Sequence, residues 1–498
     1  MDEIMTLVEA LEKNAAEFAE KPAIVFHDKK TSYAEFNSLV NRFAGALLEL
    51  GLKKGDRVVL MLPRIPELVI GFLGIAKARG IAVPVNYELT DRNVNAILNN
   101  ISPLCVITQI SFLELIKKSI PQNSDIRIIT VGGREAGLLS WEDALNLGKP
   151  ENPCLPINDE DIVYLNYTSG STGTSKGAVT TYSNIYWNTV ASIDSLELTA
   201  DDIHLCMFAP FAHPHEIFAR PVYLGGTMVL VDKIYPKSIA EAIANHKVTC
   251  MMGLVPMYEN LLEVLDHKEY DMSSLRVPES GGMYTPVKLI ERFVQRVGIP
   301  IIPVWGSTET TGIALAVKPG RLAPAGSVGK PCKSYEVKIV DDRGRELPPG
   351  RTGEMVFKGP AVVSGYYGDD ITTSSCFRNG WYYSSDLGKC DNDGNFYFIE
   401  RKMGMMKIAG LKVYPLEIER ALLEHPDIRE VAVVALDDRL RGKVPKAIIV
   451  PMPGKNIEAD EILSFCKNLL PRYKLPREIE LRESLPKTGS GKVNRKAL

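Results

Sequence analysis

The chain has 498 residues, too many for a single hydrophobic core, so length alone predicts two to four domains. A hydrophobic fraction of 45% is ordinary for a globular protein, and a formal net charge of −3 argues against a nucleic-acid partner. Eight scattered cysteines with no C-x-x-C pair argue against a zinc site and a disulfide framework, and fit a reducing compartment.

The opening "MDEIMTLVEALEKNAAEFAEK" is acidic and amphipathic and does not read as a secretion signal. The most apolar run, "LVIGFLGIA" from Leu68, is bracketed by Glu67 and Lys77 and is too short to span a bilayer. A cytoplasmic protein without a membrane span is therefore expected.

Up to about residue 330, short apolar runs alternate with longer amphipathic ones. "RVVLML" precedes the helical "PELVIGFLGIAKARG" and then "IAVPV"; "GTMVLVD" precedes "PKSIAEAIANHK" and "VTCMMGLV"; "IPIIPVWG" follows another helical stretch. This alternation predicts mainly parallel sheets covered by helices. From about 335 the texture changes, and "YEVKIVDDRGRELPPGRTGEMVFKG" reads as a β-hairpin within a β-rich subdomain reaching about residue 400. After "FYFIERKMGMMKIAGLKV" a short α+β tail begins, with a domain boundary near Arg401–Lys402. No internal repeat or low-complexity tract interrupts the pattern. The expected fold class is α/β multidomain: two α/β subdomains and a β-rich subdomain over 1–400, then a small α+β domain over 401–498.

One loop stands out. "YTSGSTGTSKG" (167–177) holds three glycines, one lysine and six hydroxyl side chains directly after the strand-like "DIVYLNY". A Walker A loop is excluded, because Ser175 stands where its second glycine is needed and Gly177 follows Lys176. The C-terminal "KTGSGKVN" fails the same test. The composition still suits a triphosphate, since glycines let backbone N–H groups converge on an anion while hydroxyls and a lysine add donors and charge. Composition alone leaves a solvated linker equally open.

"YTSGSTGTSKGAVTTYSN" resembles the phosphate loop of the adenylate-forming enzymes, which include acyl-CoA synthetases, adenylation domains and luciferases. "VWGSTETTG", "GEMVFKGPAVVSGYY", "WYYSSDLG", "ERKMGMMKIAGLKVYPLEIE" and "LPKTGSGKVNRKAL" resemble the family's later motifs in the family's order, and the likeness runs nearly end to end.

The resemblance implies a reaction in two halves. A carboxylate attacks the α-phosphorus of ATP to give acyl-adenylate and pyrophosphate, and a thiol then displaces AMP. Lys492 is implied as the catalytic bridge between carboxylate and α-phosphate. Thr168, Ser169, Gly170, Ser171, Thr172, Gly173, Thr174 and Lys176 are implied to cradle the phosphates. Glu309, with Thr168, is implied to hold Mg²⁺, a hard cation that prefers carboxylate and phosphate oxygens. Thr308 is assigned to the α-phosphate, Asp386 to the ribose hydroxyls, Arg401 to ribose or phosphate, and Trp305 with Gly306 to the adenine side. His213 stands beside the carboxylate, in an acyl pocket with Gly281, Gly282, Met283 and Gly306. His215 and Glu216 are read as packing or surface residues. Lys402 and Met403 mark a hinge that swings the small C-terminal domain, after which Lys407 and Gly410 line a tunnel for coenzyme A.

Several positions depart from the family pattern. Ser175 replaces a common proline, Tyr182 a frequent histidine, Glu400 a common glycine, and Met403 the usual Asp or Lys of the hinge. Ser384–Ser385 stand in place of Thr–Gly. Gly306, where acetate-restricted relatives carry Trp, favours an acid larger than acetate, whereas Met283 and Tyr284 shorten the pocket. A medium-sized aliphatic, aromatic or alicyclic acid is expected, with an acyl-CoA synthetase as the leading reading. Carrier-protein loading is a second reading and a non-catalytic nucleotide-binding relative a third. Arg220 is read as a solvated or salt-bridged arginine rather than as a receptor for a diacid.

Overall fold

The structure, a computed structural model, describes residues 4–122, 124–168, 176–404, 406–408, 411–438, 442–467, 469–488 and 492–498. Their strands form four sheets.

The first α/β layer is a seven-stranded sheet built around Arg57–Met61, Ile81–Pro84, Cys105–Gln109 and Ile162–Thr168. Its pairs are parallel except for the last, where Ile162–Thr168 runs antiparallel to Lys176–Thr181. The helix Pro66–Lys77 connects two neighbouring strands and is buried almost all round. Its apolar sequence is thus that of a helix buried between layers, and no described helix is long and apolar enough to cross a membrane. The helix Tyr182–Ser195 begins at a capping box in which Thr181 and Asn184 satisfy each other's backbone N–H groups.

The second layer is a nine-stranded sheet with a parallel centre and antiparallel edges. It includes the expected βαβ unit of Thr227–Leu230, the helix Pro236–His246 and Cys250–Gly253. It also takes in Pro22–Phe26, which pairs in parallel with Thr227–Leu230 far along the chain. The predicted hairpin is present as Glu336–Val340 against Gly353–Lys358, in an antiparallel five-stranded sheet with Trp381–Cys390 and Phe396–Arg401. Beyond Arg401 the chain leaves this sheet for a fourth, in which Ile428–Asp438 and Gly442–Pro451 form the longest ladder. All eight cysteines are free.

Candidate active site

The strand Ile302–Ser307 ends at the carboxyl edge of the parallel part of its sheet, where α/β folds place their ligands. The next residues form a tight, strained turn. Thr311 adopts a left-handed φ of 60°, rare for a β-branched residue, and its hydroxyl donates to the Ala361 carbonyl at 2.7 Å. Thr310 Oγ1 braces the same turn, accepting from the Ser307 N–H at 2.9 Å and donating to the Gly312 carbonyl at 2.8 Å. The turn fixes Thr308, which is buried, and Glu309.

Glu309 is held from three sides. Its carbonyl accepts the Val363 N–H at 2.9 Å, and its two carboxylate oxygens accept from the Tyr366 and Tyr382 hydroxyls at 2.6 and 3.0 Å. Burial and the neighbouring Glu309 charge raise both phenol pKa values, so the tyrosines stay protonated donors. Lys176 Nζ lies 5.7 Å from the Tyr366 ring centroid, which brings the end of the hydroxyl-rich loop to Glu309. Neither tyrosine was singled out as a site residue in the sequence. Among the described residues no cluster of three metal-ligating side chains exists. A single carboxylate oriented by donors fits magnesium, which completes its shell with phosphate oxygens and water.

Asp386 lies opposite Arg401 in the antiparallel register of Trp381–Cys390 with Phe396–Arg401. Arg401 Nε is 2.7 Å from Asp386 Oδ1, and the Trp305 indole N–H donates to Oδ2 at 3.0 Å. The Arg401 contact lies outside hydrogen-bond alignment, so buried Oδ1 keeps lone pairs for a ligand hydroxyl. Burial pushes the Asp386 carboxyl up to about 6 against the pull of Arg401. The Asp386 charge in turn raises the pKa of Arg401. One face of Trp305 is covered by Phe357, stacked at 4.2 Å, and the residue as a whole is buried.

Lys492 enters this cleft from the C-terminal segment. A Cβ built on Gly282 would lie 3.4 Å from Lys492 Nζ, so the glycine leaves room for the ammonium. Solvent still reaches the side chain, yet the cleft walls remove enough water to lower its pKa; Arg401 lowers it further and Asp386 opposes. His213, half-buried, feels the Lys492 charge and carries a buried Nδ1 with no hydrogen-bond partner among the described residues. Loss of hydration, then His215, lower its pKa to about 4, leaving a neutral imidazole at physiological pH. Met283 and Tyr284 line a cavity of about 200 Å³ with Pro303, Val304 and Gly326.

Gly306 has a local backbone reason to be small. A Cβ there would overlap the Gly312 carbonyl across a bulge in the strand pair, so its size does not by itself measure the acyl pocket. Of its two readings, solvated or salt-bridged, Arg220 takes the second: it is buried between Glu279 and Glu216. His215 is buried and the Glu216 side chain is 4% exposed, so of their two readings, packing or surface, both residues take the first. Lys402 reaches Glu354 at 3.1 Å and Asp342 at 3.2 Å, which ties it to the β-rich sheet. Residues 169–174 and Gly410 lie outside the described residues, as do the side chains of Thr168, Met403 and Lys407.

A family described as AMP-binding enzyme matches residues 11–367, and its companion, the AMP-binding enzyme C-terminal domain, matches 417–492. The chain belongs to the AMP-binding enzyme family. Feruloyl-CoA synthase of an Amycolatopsis species is 31% identical to this AMP-binding enzyme over 466 residues, 93% of this chain and 92% of that one. Indoleacetate–CoA ligase of Aromatoleum aromaticum is 31% identical over 496 residues, 99% and 97% of the two chains. The crystal structure of the anthranilate–CoA ligase AuaEII with anthranoyl-AMP superposes with a TM-score of 0.93 at 28% identity, covering 100% of this chain and 97% of that one. The AMP-binding enzyme is an acid–thiol ligase that uses ATP.

Proposed function

We propose that this AMP-binding enzyme is an acyl-CoA synthetase for a medium-sized carboxylic acid with an aromatic body. The observation that carries the reading is the Lys492 ammonium against Gly282, in the cleft that also holds Asp386, Arg401 and His213. Two anions must meet in the first half-reaction, and a cation fixed between them lowers the barrier by alignment and charge neutralisation.

Lys492 holds the acid's carboxylate against the α-phosphate, and neutral His213 flanks the carboxylate without adding charge. The carboxylate oxygen bonds to the α-phosphorus as the bond to the departing pyrophosphate breaks. Asp386 accepts from the ribose hydroxyls, Arg401 holds Asp386 ionised and faces the ribose or phosphate, and Thr308 donates to the α-phosphate. Trp305 lies on the adenine side, and Lys176 with the loop of residues 169–174 takes the departing pyrophosphate. Glu309 and Thr168 would hold magnesium, which supplies neutralisation of the phosphate charge.

In the second half the C-terminal domain, from residue 401, turns about Lys402–Met403 and withdraws Lys492. Lys407 and Gly410 then face the pantetheine arm, and the thiol sulfur displaces AMP from the acyl carbon. Feruloyl-, indoleacetate- and anthranilate-CoA ligases among the relatives support an aromatic acid. Long-chain-fatty-acid–CoA ligase of Bacillus subtilis, 30% identical, supports an aliphatic acid as the second reading.

The test is pyrophosphate release across a panel of carboxylic acids, with and without CoA. Aromatic acids should head the panel, with acyl-CoA formed in step. Acid-dependent pyrophosphate release without acyl-CoA would move the thiol to a carrier protein, and no acid-dependent release would overturn the reading.

A further inference from the structure

The segment that carries Lys492 doubles back on itself, with Lys487 and Val493 paired antiparallel at its base. Within it the Thr488 N–H donates to the Lys492 carbonyl at 2.7 Å, and the Lys492 N–H donates to Thr488 Oγ1 at 3.3 Å. These bonds shape the segment without tying it to the rest of the domain. Val493 and Leu498, partly buried, pack with Ala432, Ile448 and Val450, a contact that is apolar and therefore non-directional.

The directional anchor is Arg495, three residues beyond Lys492. Its Nη1 donates to the Val433 carbonyl at 2.7 Å, and its Nη2 donates to Glu419 Oε2 at 2.8 Å. Glu419, 5% exposed, accepts the Val433 N–H on Oε1 at 2.6 Å. Val433 lies on Ile428–Asp438, an edge strand that pairs only with Gly442–Pro451, so the ion pair takes both backbone groups that Val433 turns to the open edge. A planar guanidinium that meets a carboxylate and a carbonyl together fixes angle as well as distance. Burial raises the Glu419 pKa and the Arg495 charge opposes it. Lys487 and Glu430, farther back on the same strand, add a more exposed pair.

Glu419 stands beside Arg420 on the helix Pro415–Leu423, and Arg420 reaches the Phe398 carbonyl and the Tyr284 ring outside the C-terminal domain. Neighbouring helix residues point about 100° apart, so one helix grips the N-terminal domain with Arg420 and the Lys492 segment with Glu419. We propose that Arg495 and Glu419 are positioning residues for Lys492. Their ion pair fixes the Lys492 segment to the helix, so the ammonium reaches the cleft when that helix is docked. The proposal rests on the reading of Lys492 as the cation of acid activation.

The experiment compares the full-length wild type with Arg495→Lys and Glu419→Gln. Arg495→Lys keeps the charge but not the fork, and Glu419→Gln keeps an acceptor for the Val433 N–H but not the ion pair. Pyrophosphate release is measured with ATP, Mg²⁺ and the carboxylic acid that the wild type turns over fastest. Thioester formation is measured with CoA and the supplied acyl-adenylate of the same acid. Each variant should lose about tenfold or more in kcat for pyrophosphate release, because a misplacement of about 1 Å costs about 100-fold. Thioester formation should be largely spared. In a Lys492→Ala background neither substitution should lower pyrophosphate release further, since residues that act through one another are not additive.

An unchanged kcat in both variants overturns the proposal. Equal loss in the two half-reactions, the result of a damaged fold, also overturns it, as does a further loss in the Lys492→Ala background. A wild type that releases no pyrophosphate with any acid overturns the functional reading itself, and the proposal with it.

Discussion

The Glu400 carboxylate caps a helix on the other side of the hinge: Oε2 accepts the Leu416 N–H at 2.8 Å, in the first turn of Pro415–Leu423. The other oxygen accepts the Arg401 N–H at 2.8 Å, and the helix has no side-chain cap of its own. Further along that helix, Arg420 lies 4.1 Å from the Tyr284 ring centroid and donates to the Phe398 carbonyl at 2.5 Å. These contacts hold the C-terminal segment in the pose that brings Lys492 to the cleft.

Glu400→Ala removes that cap, a loss of about 1 kcal/mol for a helix N-terminus. Acid-dependent pyrophosphate release should fall by about fivefold, the rate equivalent of 1 kcal/mol. Thioester formation from supplied acyl-adenylate should fall less. Equal losses in the two assays would assign Glu400 to stability alone.

Lys492→Ala removes the ammonium but leaves Asp386, Arg401 and Glu309 in place. Carboxylate-dependent pyrophosphate release should drop by about 100-fold or more, the range for a lost transition-state donor. Thioester formation from supplied acyl-adenylate should be largely spared. Equal loss in both half-reactions would remove Lys492 from its assigned role.

Asp386 gives a pH dependence with a definite sign. Its carboxyl is pushed up from 3.8 to about 6, chiefly by burial. A raised carboxyl pKa means that the fold favours the proton, so this group's contribution to stability is present at low pH and lost as pH rises through about 6. Ribose recognition needs the ionised form, so the KM for ATP should rise as pH falls below about 6. Asp386→Asn should raise that KM at every pH and flatten the profile, and an unaltered profile would place the titration elsewhere.

Ser385 occupies a left-handed φ of 59° immediately before Asp386, and its N–H donates to Glu354 Oε1 at 3.0 Å. Ser385→Gly keeps that bond and relieves the backbone, offset in part by the greater freedom of an unfolded glycine. A net gain of about 0.5–1 kcal/mol is expected, read as a higher midpoint in urea at constant slope. A lower midpoint would show that the serine side chain supports the turn.

Much of the fold was legible because it follows local period. The strand Arg57–Met61, the helix Pro66–Lys77 and the strand Ile81–Pro84 each carry their pattern within a dozen residues. Asp386 and Arg401 were readable one by one from motifs, and the antiparallel register then places them face to face. The buried ion-pair cluster was not legible. Glu216 looks like a solvated acid inside "HPHEIFAR", and only the fold brings Glu279 to Arg220, 59 residues away. Trp305 likewise offered an aromatic face in the sequence, while its N–H bond to Asp386 spans 81 residues. Gly306 carries a second constraint beside any role in the pocket, a backbone crossing with Gly312, which sequence does not display.

The pairing of Pro22–Phe26 with Thr227–Leu230 sets an order of events during synthesis. The two strands are separated by 205 residues, so the first leaves the ribosome about 10–40 s before its partner at ordinary elongation rates. Throughout that interval the apolar "AIVF" has no neighbour on that edge and is open to pairing with other chains. Completion of the second sheet, and with it the cleft, therefore waits for Thr227–Leu230 to emerge. Nascent chains truncated before that strand are the ones most exposed to aggregation and to chaperone capture.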